Sequence, residues 1–376
     1  MRSPEICVVG AGGLVGRRIC SELAAAGVPF SITTRTARPP ALAEARAHVA
    51  EIRDAAALAS AFAGARVVIN AAGPLRETAA PVLVGALTAG AHYVDVGGEQ
   101  EVLQSLYERH ESTARRAGLV ALPGAGLDCM IGDLAAAWAT AHLCGGELEG
   151  AAVRSAPAPR LAEDRPLDEV CVSYVFDDLV LSAGSQRALF GAVGGRAVVW
   201  RRDRWEPGRA GERRRVNAGA ALGGERDAVG HPAGDAVTVP RHVSANLVAT
   251  YLSTTRTAAS GALLRLLATA LPLVPRAASQ LLAAYATPDA DYAGTRLAVI
   301  AQARRGFSAA QVTVRGLDPY RVTAVATAWA ARQLLSRGAG PVGMRAPGEL
   351  FRGAPALREL AAAADLTIEP SFGPAH

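Results

Sequence analysis

A glycine-rich segment near the amino terminus constrains the fold of this chain more than any other feature. It reads Gly10-Ala11-Gly12-Gly13-Leu14-Val15-Gly16, and it lies between an apolar run at residues 6–9 and a helical pattern at residues 14–26. Glycine permits a tight turn, a close approach of backbone to a phosphate, and close packing of a helix on a strand. The order strand, glycine turn, helix predicts the first βα unit of a Rossmann-type domain, in which this segment contacts a dinucleotide. The predicted contact residues are Gly10, Gly12, Gly13, Leu14, Val15 and Gly16, and the alternative is a tight βα turn without a ligand.

The first third of the chain continues this βα rhythm. Apolar runs predict strands at residues 30–33, 49–52, 67–70, 92–96 and 119–122, and helical patterns occupy residues 55–63, 78–89 and 102–117. Six strands that alternate with helices are typical of a doubly wound parallel sheet. The predicted fold class is therefore α/β, with an N-terminal Rossmann doubly wound parallel sheet in residues 1–130.

The rhythm changes after Pro123. Short β-type segments at residues 197–200, 236–239 and 311–314 lie among Gly, Pro and charged turns, and residues 322–335 have a helical pattern. These features predict a second, mixed-sheet α+β domain, for substrate binding or dimerisation, in residues 131–320. Residues 321–376 are predicted to form C-terminal helices that pack back on the Rossmann domain.

The end of the second predicted strand distinguishes between the two nicotinamide dinucleotides. A site for NAD places Asp or Glu there to bind the ribose 2′-hydroxyl, whereas this chain has Thr33-Thr34-Arg35-Thr36. The planar guanidinium of Arg35 suits a 2′-phosphate, and Thr34 can add a hydroxyl. The sequence therefore predicts NADP(H) as the cofactor, and the alternative is an exposed arginine in a polar loop.

Two further segments complete the predicted cofactor site. Asn70-Ala71-Ala72-Gly73 ends the fourth strand, and small residues there let a dinucleotide lie across the carboxyl edge of the sheet. Asp54 follows the third predicted strand. It is either a neighbour of the adenine or the N-cap of the next helix.

Composition excludes several kinds of chemistry. All 39 residues counted as lysine or arginine are arginine, which excludes a lysine Schiff base, a lysine general base and the Tyr-Lys pair of short-chain dehydrogenases. The five cysteines show no CxxC pair and no metal-ligand spacing, so no metal site is predicted. Scattered thiols and the absence of a signal-peptide pattern at the amino terminus lead us to expect a cytoplasmic protein.

The net charge of +5 is spread along the chain, so nucleic acid is not an expected partner. The densest basic cluster, residues 196–215, also contains acidic residues and is interpreted as a solvated loop or hairpin, or else as a handle for an anionic substrate. The most apolar stretch, residues 261–286, is interrupted by arginine and proline and is not predicted to span a membrane. Buried or amphipathic helices are expected there, and they could line a tunnel for an acyl chain.

Four segments together resemble a known family. The glycine segment, Ile69 to Pro74, His92 to Glu99 and Leu122 to Leu134 are similar to the saccharopine dehydrogenase-like reductases, and most similar to a bacterial branch that includes trans-acting enoyl reductases. The segment Leu181-Ser182-Ala183-Gly184-Ser185 resembles that family's serine- and glycine-rich motif, although it departs from the usual Ser-Gly-Gly-Thr form. The resemblance implies a Rossmann domain, a mixed-sheet substrate domain and returning C-terminal helices. It also implies reduction of C=N or C=C bonds, or the reverse oxidation, with NADP(H) or NAD(H).

The candidate catalytic residues follow the fifth and sixth predicted strands. Glu99 and Asp128 each come after a glycine-containing loop, and we expect them to flank the nicotinamide, with the substrate between them and the Ser182–Ser185 loop. One acid can donate a proton if burial raises its pKa. Both are alternatively helix caps. Tyr93 is a further catalytic candidate, and Ser182, Ser185 and Tyr174 are candidate substrate residues.

These features predict an NADPH-dependent reductase that acts on an enoyl or imine intermediate, in specialised, lipid or polyketide metabolism. The alternatives are a saccharopine-type dehydrogenase that forms or cleaves a secondary amine, and a non-catalytic NADP-binding regulator. The expected partner is a small-molecule substrate, either free or linked to a carrier or to coenzyme A, and a homodimer is a further expectation.

Overall fold

A computed structural model describes residues 5–34, 42–145, 160–177, 181–182, 185, 198–208, 212–255, 292–336 and 340–374. Arg35 and the apolar stretch 261–286 lie outside these described residues. Within them, no helix has both the length and the apolar character needed to cross a membrane.

The first sheet contains the predicted βα units. Its strands are β1 (Ile6–Val9), β2 (Phe30–Thr34), β3 (Arg46–Val49), β4 (Val67–Asn70), β5 (His92–Asp95) and β6 (Val120–Leu122). The connecting helices are α1 (Leu14–Ala25), α2 (Ala55–Ala61), α3 (Leu75–Thr88) and α4 (Gln100–Arg116). The strands pair in parallel in the order β3-β2-β1-β4-β5-β6, and a short strand at Gly343–Met344 adds to β6. This is the predicted doubly wound parallel sheet.

The third strand lies three residues earlier than predicted. The expected strand was 49–52, whereas β3 is Arg46–Val49 and pairs with β2 at the sheet edge. Arg46 and Val49 are exposed and Ala47 and His48 are only half-buried. An edge strand has one unpaired side and needs no continuous apolar run, so hydrophobicity alone misplaced it.

The strand order places a topological switch point between β1 and β4. The chain moves outward to β2 and β3 on one side of β1 and to β4, β5 and β6 on the other. In open α/β sheets the crevice outside the carboxyl ends of the strands at this point is where ligands bind. The loops after β1, β4, β5 and β6 meet at that edge.

The second sheet is mixed, as predicted. It contains β7 (Glu169–Asp177), β8 (Val198–Arg201), β9 (Arg204–Pro207), β10 (Arg213–Asn217), β11 (Glu225–Gly230), β12 (Leu247–Thr255), β13 (Arg296–Arg305) and β14 (Ser308–Leu317). β7 and β12 pair in parallel, and the other neighbours pair antiparallel. The basic cluster forms the predicted hairpin over its described part, where Arg204 pairs with Glu206 at 2.7 Å.

Residues 236–239, predicted as β-type, instead lie in helix α6 (Asp235–Thr238) and the 3-10 turn that follows it. All four residues are buried. A short β-branched run that is buried on every side carries no period that separates strand from helix, so its tertiary surroundings decide its conformation.

Helices join the two sheets. α5 (Gly132–Leu143) follows β6 and packs on β13 and β14, and α7 (Pro319–Ser336) packs on α1. A single apolar core therefore runs from Ile6 and Val8 in the first sheet to Val172 and Val299 in the second.

The C-terminal region was predicted to be helical only, but it supplies a strand to each sheet. β15 (Gly343–Met344) extends the first sheet and β16 (Thr367–Pro374) pairs with β14 in the second. Between them, α8 (Pro347–Leu350) and α9 (Gly353–Ala364) pack on α5. The region therefore binds to both domains rather than to the first alone.

Candidate functional site

The glycine loop connects β1 to α1 with little space for side chains. Gly10 has φ +80°, and a Cβ there would lie 2.6 Å from the Ala72 nitrogen. A Cβ at Gly16 would overlap the carbonyl oxygen of Gly10. Only glycine fits these two positions, because the loop is packed between α1 and the loop that follows β4.

The amino-terminal turn of α1 is open to an anion. Gly13 is the N-cap residue, no side chain caps the helix, and its first turn contains no acidic residue. Gly12 and Gly13 are exposed, and Leu14 and Val15 are half-buried. Free amides and the positive end of the helix dipole suit a phosphate. The start of α1 therefore has the chemistry of an anion site.

Arg17 adds a cation to this loop. Its Nη1 donates to the carbonyl oxygen of Gly12 at 2.6 Å, and the side chain is exposed. The guanidinium is thus held over the loop with donors to spare, since arginine has five. No sequence motif distinguishes Arg17 from the many other arginines of the chain, so its position could not be predicted.

The loop after β4 is stabilised by Asn70. Its Oδ1 accepts from the Ala72 N–H at 3.1 Å, and the side chain is fully buried. Its Nδ2 faces the hydroxyls of Thr78 and Tyr93 at 3.3 and 3.4 Å. Asn70 therefore shapes the loop, whereas Ala71, Ala72 and Gly73 present its surface.

Tyr93 stabilises the loops at the carboxyl edge of the first sheet. Its ring is fully buried and its hydroxyl donates to Asp95 at 2.8 Å. Asp95 also accepts from the N–H groups of Gly97 and Gly124, at 2.8 and 2.9 Å. Burial raises the pKa of Asp95 to about 6. These contacts assign Tyr93 to positioning the loops after β5 and β6, in place of the expected catalytic contact with substrate, because its hydroxyl is already engaged.

Glu99 and Asp128 are carried by neighbouring loops. The loops that carry them are in contact, since a Cβ at Gly98 would lie 2.7 Å from the Cβ of Asp128. Glu99 is the N-cap residue of α4, but its side chain makes no cap bond, and the N-cap residue of α5 is Ile131 rather than Asp128. The Glu99 carboxylate accepts from the Gly98 N–H at 3.4 Å.

The surroundings of these two acids favour their protonated forms. Burial raises the pKa of Glu99. Desolvation by the surrounding protein and repulsion by Glu99 raise the pKa of Asp128 to about 6. Asp128 is nevertheless exposed to solvent, so a ligand can reach this residue. A solvent-accessible carboxyl with a raised pKa is the expected form of a general acid.

Cys129 and Tyr174 face the interior instead. Cys129 is fully buried, with its sulfur 3.4 Å from the Thr238 hydroxyl, which fits a small buried hydrophobe. The hydroxyl of Tyr174 donates to the buried Asp235 at 2.7 Å, and its ring is 1% exposed. Tyr174 was expected to contact substrate, but its packing leaves it no surface to do so.

The remaining predicted cofactor residues are Thr34, Arg35 and Asp54. Thr34 is half-buried at the carboxyl end of β2, and Arg35 follows it outside the described residues. Asp54 caps α2, accepting from the N–H groups of Ala56 and Ala57 at 3.0 Å each. The N-cap alternative for Asp54 is thus correct, and the cap accounts for its position without a ligand.

Ser182 and Ser185 contact α7 through Tyr320. The Ser182 N–H donates to the Tyr320 hydroxyl at 2.7 Å, and that hydroxyl lies 3.1 Å from the oxygen of Ser185. Ser182 is buried and Ser185 is half-buried. Tyr320 follows Ser185 by 135 residues in the sequence, and no local motif connects the two.

Within the described residues, no cluster of His, Cys, Asp or Glu is arranged to hold a metal ion.

Comparison with known proteins identifies the type of the first domain. Residues 6–122 match the saccharopine dehydrogenase NADP-binding domain. The match covers the glycine loop and all six predicted strands of the Rossmann unit, so the domain is an NADP-binding domain, as the sequence predicted.

Two curated relatives align with part of this chain. The saccharopine dehydrogenase-like oxidoreductase of Bos taurus is 24% identical over 153 residues, which are 35% of this chain and 36% of that protein. The lipid droplet localized protein of Caenorhabditis elegans is 25% identical over 147 residues, 35% of this chain and 34% of that protein. The aligned region thus spans about a third of each relative's length.

A solved structure extends the likeness to both domains. Apo saccharopine dehydrogenase (L-Glu forming) from Saccharomyces cerevisiae covers 99% of this chain and 100% of its own, with a TM-score of 0.62 and 14% sequence identity. The two proteins share a fold from the Rossmann sheet through the second sheet to the C-terminal elements.

Proposed function

We propose that this protein is an NADP(H)-dependent reductase that adds hydrogen across a C=C or C=N bond of a small unsaturated molecule. The observation that carries the proposal is the pairing of Glu99 and Asp128, which lie in contacting loops with raised pKa values. These loops share the carboxyl edge of the sheet with the glycine loop. A reductase needs a proton donor at that edge, next to the place where the nicotinamide is held.

The residues of the glycine loop fit the cofactor. Uncapped amides at the start of α1 and the exposed Gly12 and Gly13 would hold the pyrophosphate, and Arg17 would add a charge-assisted contact. Thr34, and Arg35 next to it, would hold the 2′-phosphate. NADPH, when bound, supplies the hydride.

Asp128 would supply the proton. With a pKa of about 6, its carboxyl group carries a proton in an appreciable fraction of molecules near neutral pH. As the π bond breaks, one new bond forms between carbon and hydride. A second forms between the partner atom, nitrogen in an imine or the α carbon in an enoyl thioester, and the proton from Asp128. Glu99 keeps that proton in place through its like charge, and Asp95 keeps the loops aligned.

Two substrate classes suit this chemistry. The Saccharomyces cerevisiae protein that shares the fold is named a saccharopine dehydrogenase, which supports an imine whose reduction gives a secondary amine. The similarity to trans-acting enoyl reductases supports an enoyl thioester, either free or linked to a carrier or to coenzyme A. We place the imine first, because the likeness to the yeast protein spans both domains.

The test combines the purified protein, deuterated NADPH and two probes. These are 2-oxoglutarate with a primary amine, and crotonyl-coenzyme A. We expect mass spectrometry to detect deuterium on carbon in the product of either probe. The probe that gains deuterium identifies the substrate class. Tight NADPH binding without transfer to either probe would instead favour the non-catalytic regulator.

A further inference from the structure

The hydroxyls of Ser182, Ser185 and Tyr320 form a small network beside the start of α7. The Ser182 N–H donates to the Tyr320 oxygen at 2.7 Å, and the Tyr320 hydroxyl donates to Ser185 Oγ at 3.1 Å. Ser182 Oγ donates to Ser185 Oγ at 3.1 Å and accepts from the Ser185 N–H at 3.1 Å. Every hydroxyl of the network thus has a partner.

The donors and acceptors of this network show which hydroxyl can still bind a further group. Ser185 Oγ accepts two hydrogen bonds, one from each of the other hydroxyls, and a hydroxyl oxygen has two lone pairs. Its remaining capacity is its own proton, for which the described residues supply no acceptor. Because Ser185 is half-buried whereas Ser182 and Tyr320 are buried, Ser185 is the member that presents this donor to solvent or to a ligand.

The network is attached to the Asp128 loop through one face of α7. Thr323, one helical turn after Tyr320, accepts from the Leu127 N–H at 3.3 Å. Thr327, one further turn along, donates to the carbonyl oxygen of Ala125 at 3.2 Å. Ser182 and Ser185 therefore contact the first turn of α7, and the residues just before Asp128 contact the next turns of the same helix.

The start of α7 is itself held against the Rossmann domain. Asp318 pairs with Arg18 of α1 at 2.6 Å, and the Tyr320 ring packs edge-on against Tyr292 at 4.8 Å between centroids. Tyr320 thus has a defined position relative to the helix that carries the glycine loop.

We propose that Tyr320 is a positioning residue that orients Ser185 as a hydrogen-bond donor to an acceptor oxygen of the substrate. The group recognised is a carbonyl or a carboxylate oxygen, since neither carries a proton to compete with that donor. The inference rests on the proposed function for the substrate's presence beside Asp128. The inference adds Tyr320 as the residue that orients Ser185, and it identifies the bound substrate group as a hydrogen-bond acceptor.

The test uses Tyr320→Phe and Ser185→Ala in the full chain, with Tyr251→Phe as the matched control. Tyr251 lies in β12 and its hydroxyl contacts Glu212 in the second sheet. With whichever of the two probes the protein reduces, both test variants are expected to raise KM roughly five- to tenfold, the scale of one lost hydrogen bond. The kcat value and NADPH affinity are expected to stay within about twofold, since neither variant touches the proton donor or the glycine loop.

Amide hydrogen exchange separates this inference from the proposed function, because it needs no substrate. Tyr320→Phe removes the acceptor of the Ser182 N–H, so exchange at Ser182 is expected to accelerate, whereas Tyr251→Phe leaves it unchanged. If neither probe is reduced, the proposed reaction fails, and exchange alone still decides whether Tyr320 holds the loop. Unchanged exchange at Ser182, or an equal loss of kcat and NADPH affinity in Tyr320→Phe, would overturn the inference.

Discussion

At the scale of single residues, the proton balance of Glu99 and Asp128 is the central feature. Two carboxyl groups in contacting loops repel each other when both are ionised, so the pair retains a proton more readily than either acid alone. The structure brings the two together without engaging either in a helix cap. Their chemistry can therefore be tested one substitution at a time.

Replacement of Asp128 by Asn is expected to lower turnover about 10²-fold or more, the usual scale for a general acid, with little change in NADPH affinity. Glu99→Gln is expected to have a similar effect if it is the donor, and a smaller one if it only tunes Asp128. Steady-state kinetics beside a nucleotide titration measures both quantities. Near-normal turnover in both variants would mean that the proton comes from another group.

The pH dependence of the reduction follows from the same pKa. A general acid acts in its protonated form, so kcat/KM is expected to be level below pH 6 and to fall as pH rises through the Asp128 pKa of about 6. Asp128→Asn is expected to abolish that falling limb, whereas wild type keeps it. A flat wild-type profile across this range would argue against Asp128.

The two arginines near the cofactor loops are expected to act differently. Arg17 is held over the glycine loop. Because NADPH and NADH share the pyrophosphate, Arg17→Ala should lower the binding affinity for both by roughly five- to tenfold. Arg35→Ala should weaken NADPH alone and narrow its advantage over NADH by roughly 1–3 kcal/mol. Arg116→Ala, at the end of α4, is the control. Equal affinity of the wild type for both cofactors would contradict the role of Arg35.

At the scale of elements, the contact between β1, the glycine loop and α1 separates folding from cofactor binding. Gly16 packs directly beneath Gly10, whereas Gly12 is exposed at the top of the loop. The same loop therefore contains one glycine required by packing and one required by a ligand. Sequence inspection alone treats them as members of one motif.

Gly16→Ala is expected to destabilise the protein by about 1–3 kcal/mol, because its Cβ would displace α1 from the loop. Gly12→Val is expected to leave the fold nearly intact and to abolish NADPH binding, because a branched side chain would occupy the path of the pyrophosphate. Thermal unfolding followed by circular dichroism, beside NADPH titration, measures both effects. Normal NADPH binding by a folded Gly12→Val variant would show that the phosphate lies elsewhere.

At the scale of the whole molecule, buried acids lie where the two domains meet. Asp235 is fully buried, accepts a hydrogen bond from Tyr174 of β7, and packs against Gly132 at the start of α5. Desolvation, with repulsion from Asp133, raises the pKa of Asp235 well above its ordinary value. The folded protein therefore retains a proton that the unfolded chain releases above its own pKa of about 3.9.

This difference makes folding stability fall as pH rises. Above the unfolded pKa, unfolding releases the Asp235 proton, so the free energy of unfolding declines by up to about 1.4 kcal/mol per pH unit until the folded pKa is reached. Asp235→Asn removes that release, and its stability relative to wild type is expected to increase with pH from about 4 upward. Denaturant unfolding at several pH values gives the slope. Parallel pH profiles for the two proteins would contradict a protonated Asp235.

The sequence by itself determined the Rossmann unit and much of its ligand edge. Periodicity and turn chemistry are local properties, so five of the six predicted strands appear in place. Glu99 and Asp128 lie in neighbouring loops because they follow parallel neighbours, β5 and β6. The NADP-binding assignment came from the same local features, namely the glycine turn and the missing acid after β2.

Only the tertiary structure decided which side chains are free to act. Tyr93 and Tyr174 had suitable chemistry and position in the sequence, but their hydroxyls bond to Asp95 and Asp235 in the interior. Tyr320 and Arg17 gained importance from contacts that no motif records. The pair Arg18–Asp318 joins residues 300 positions apart, and such contacts depend on how whole elements dock. Local patterns encode the period of an element and the shape of a turn, whereas the partner across a domain boundary is chosen by packing of the complete chain.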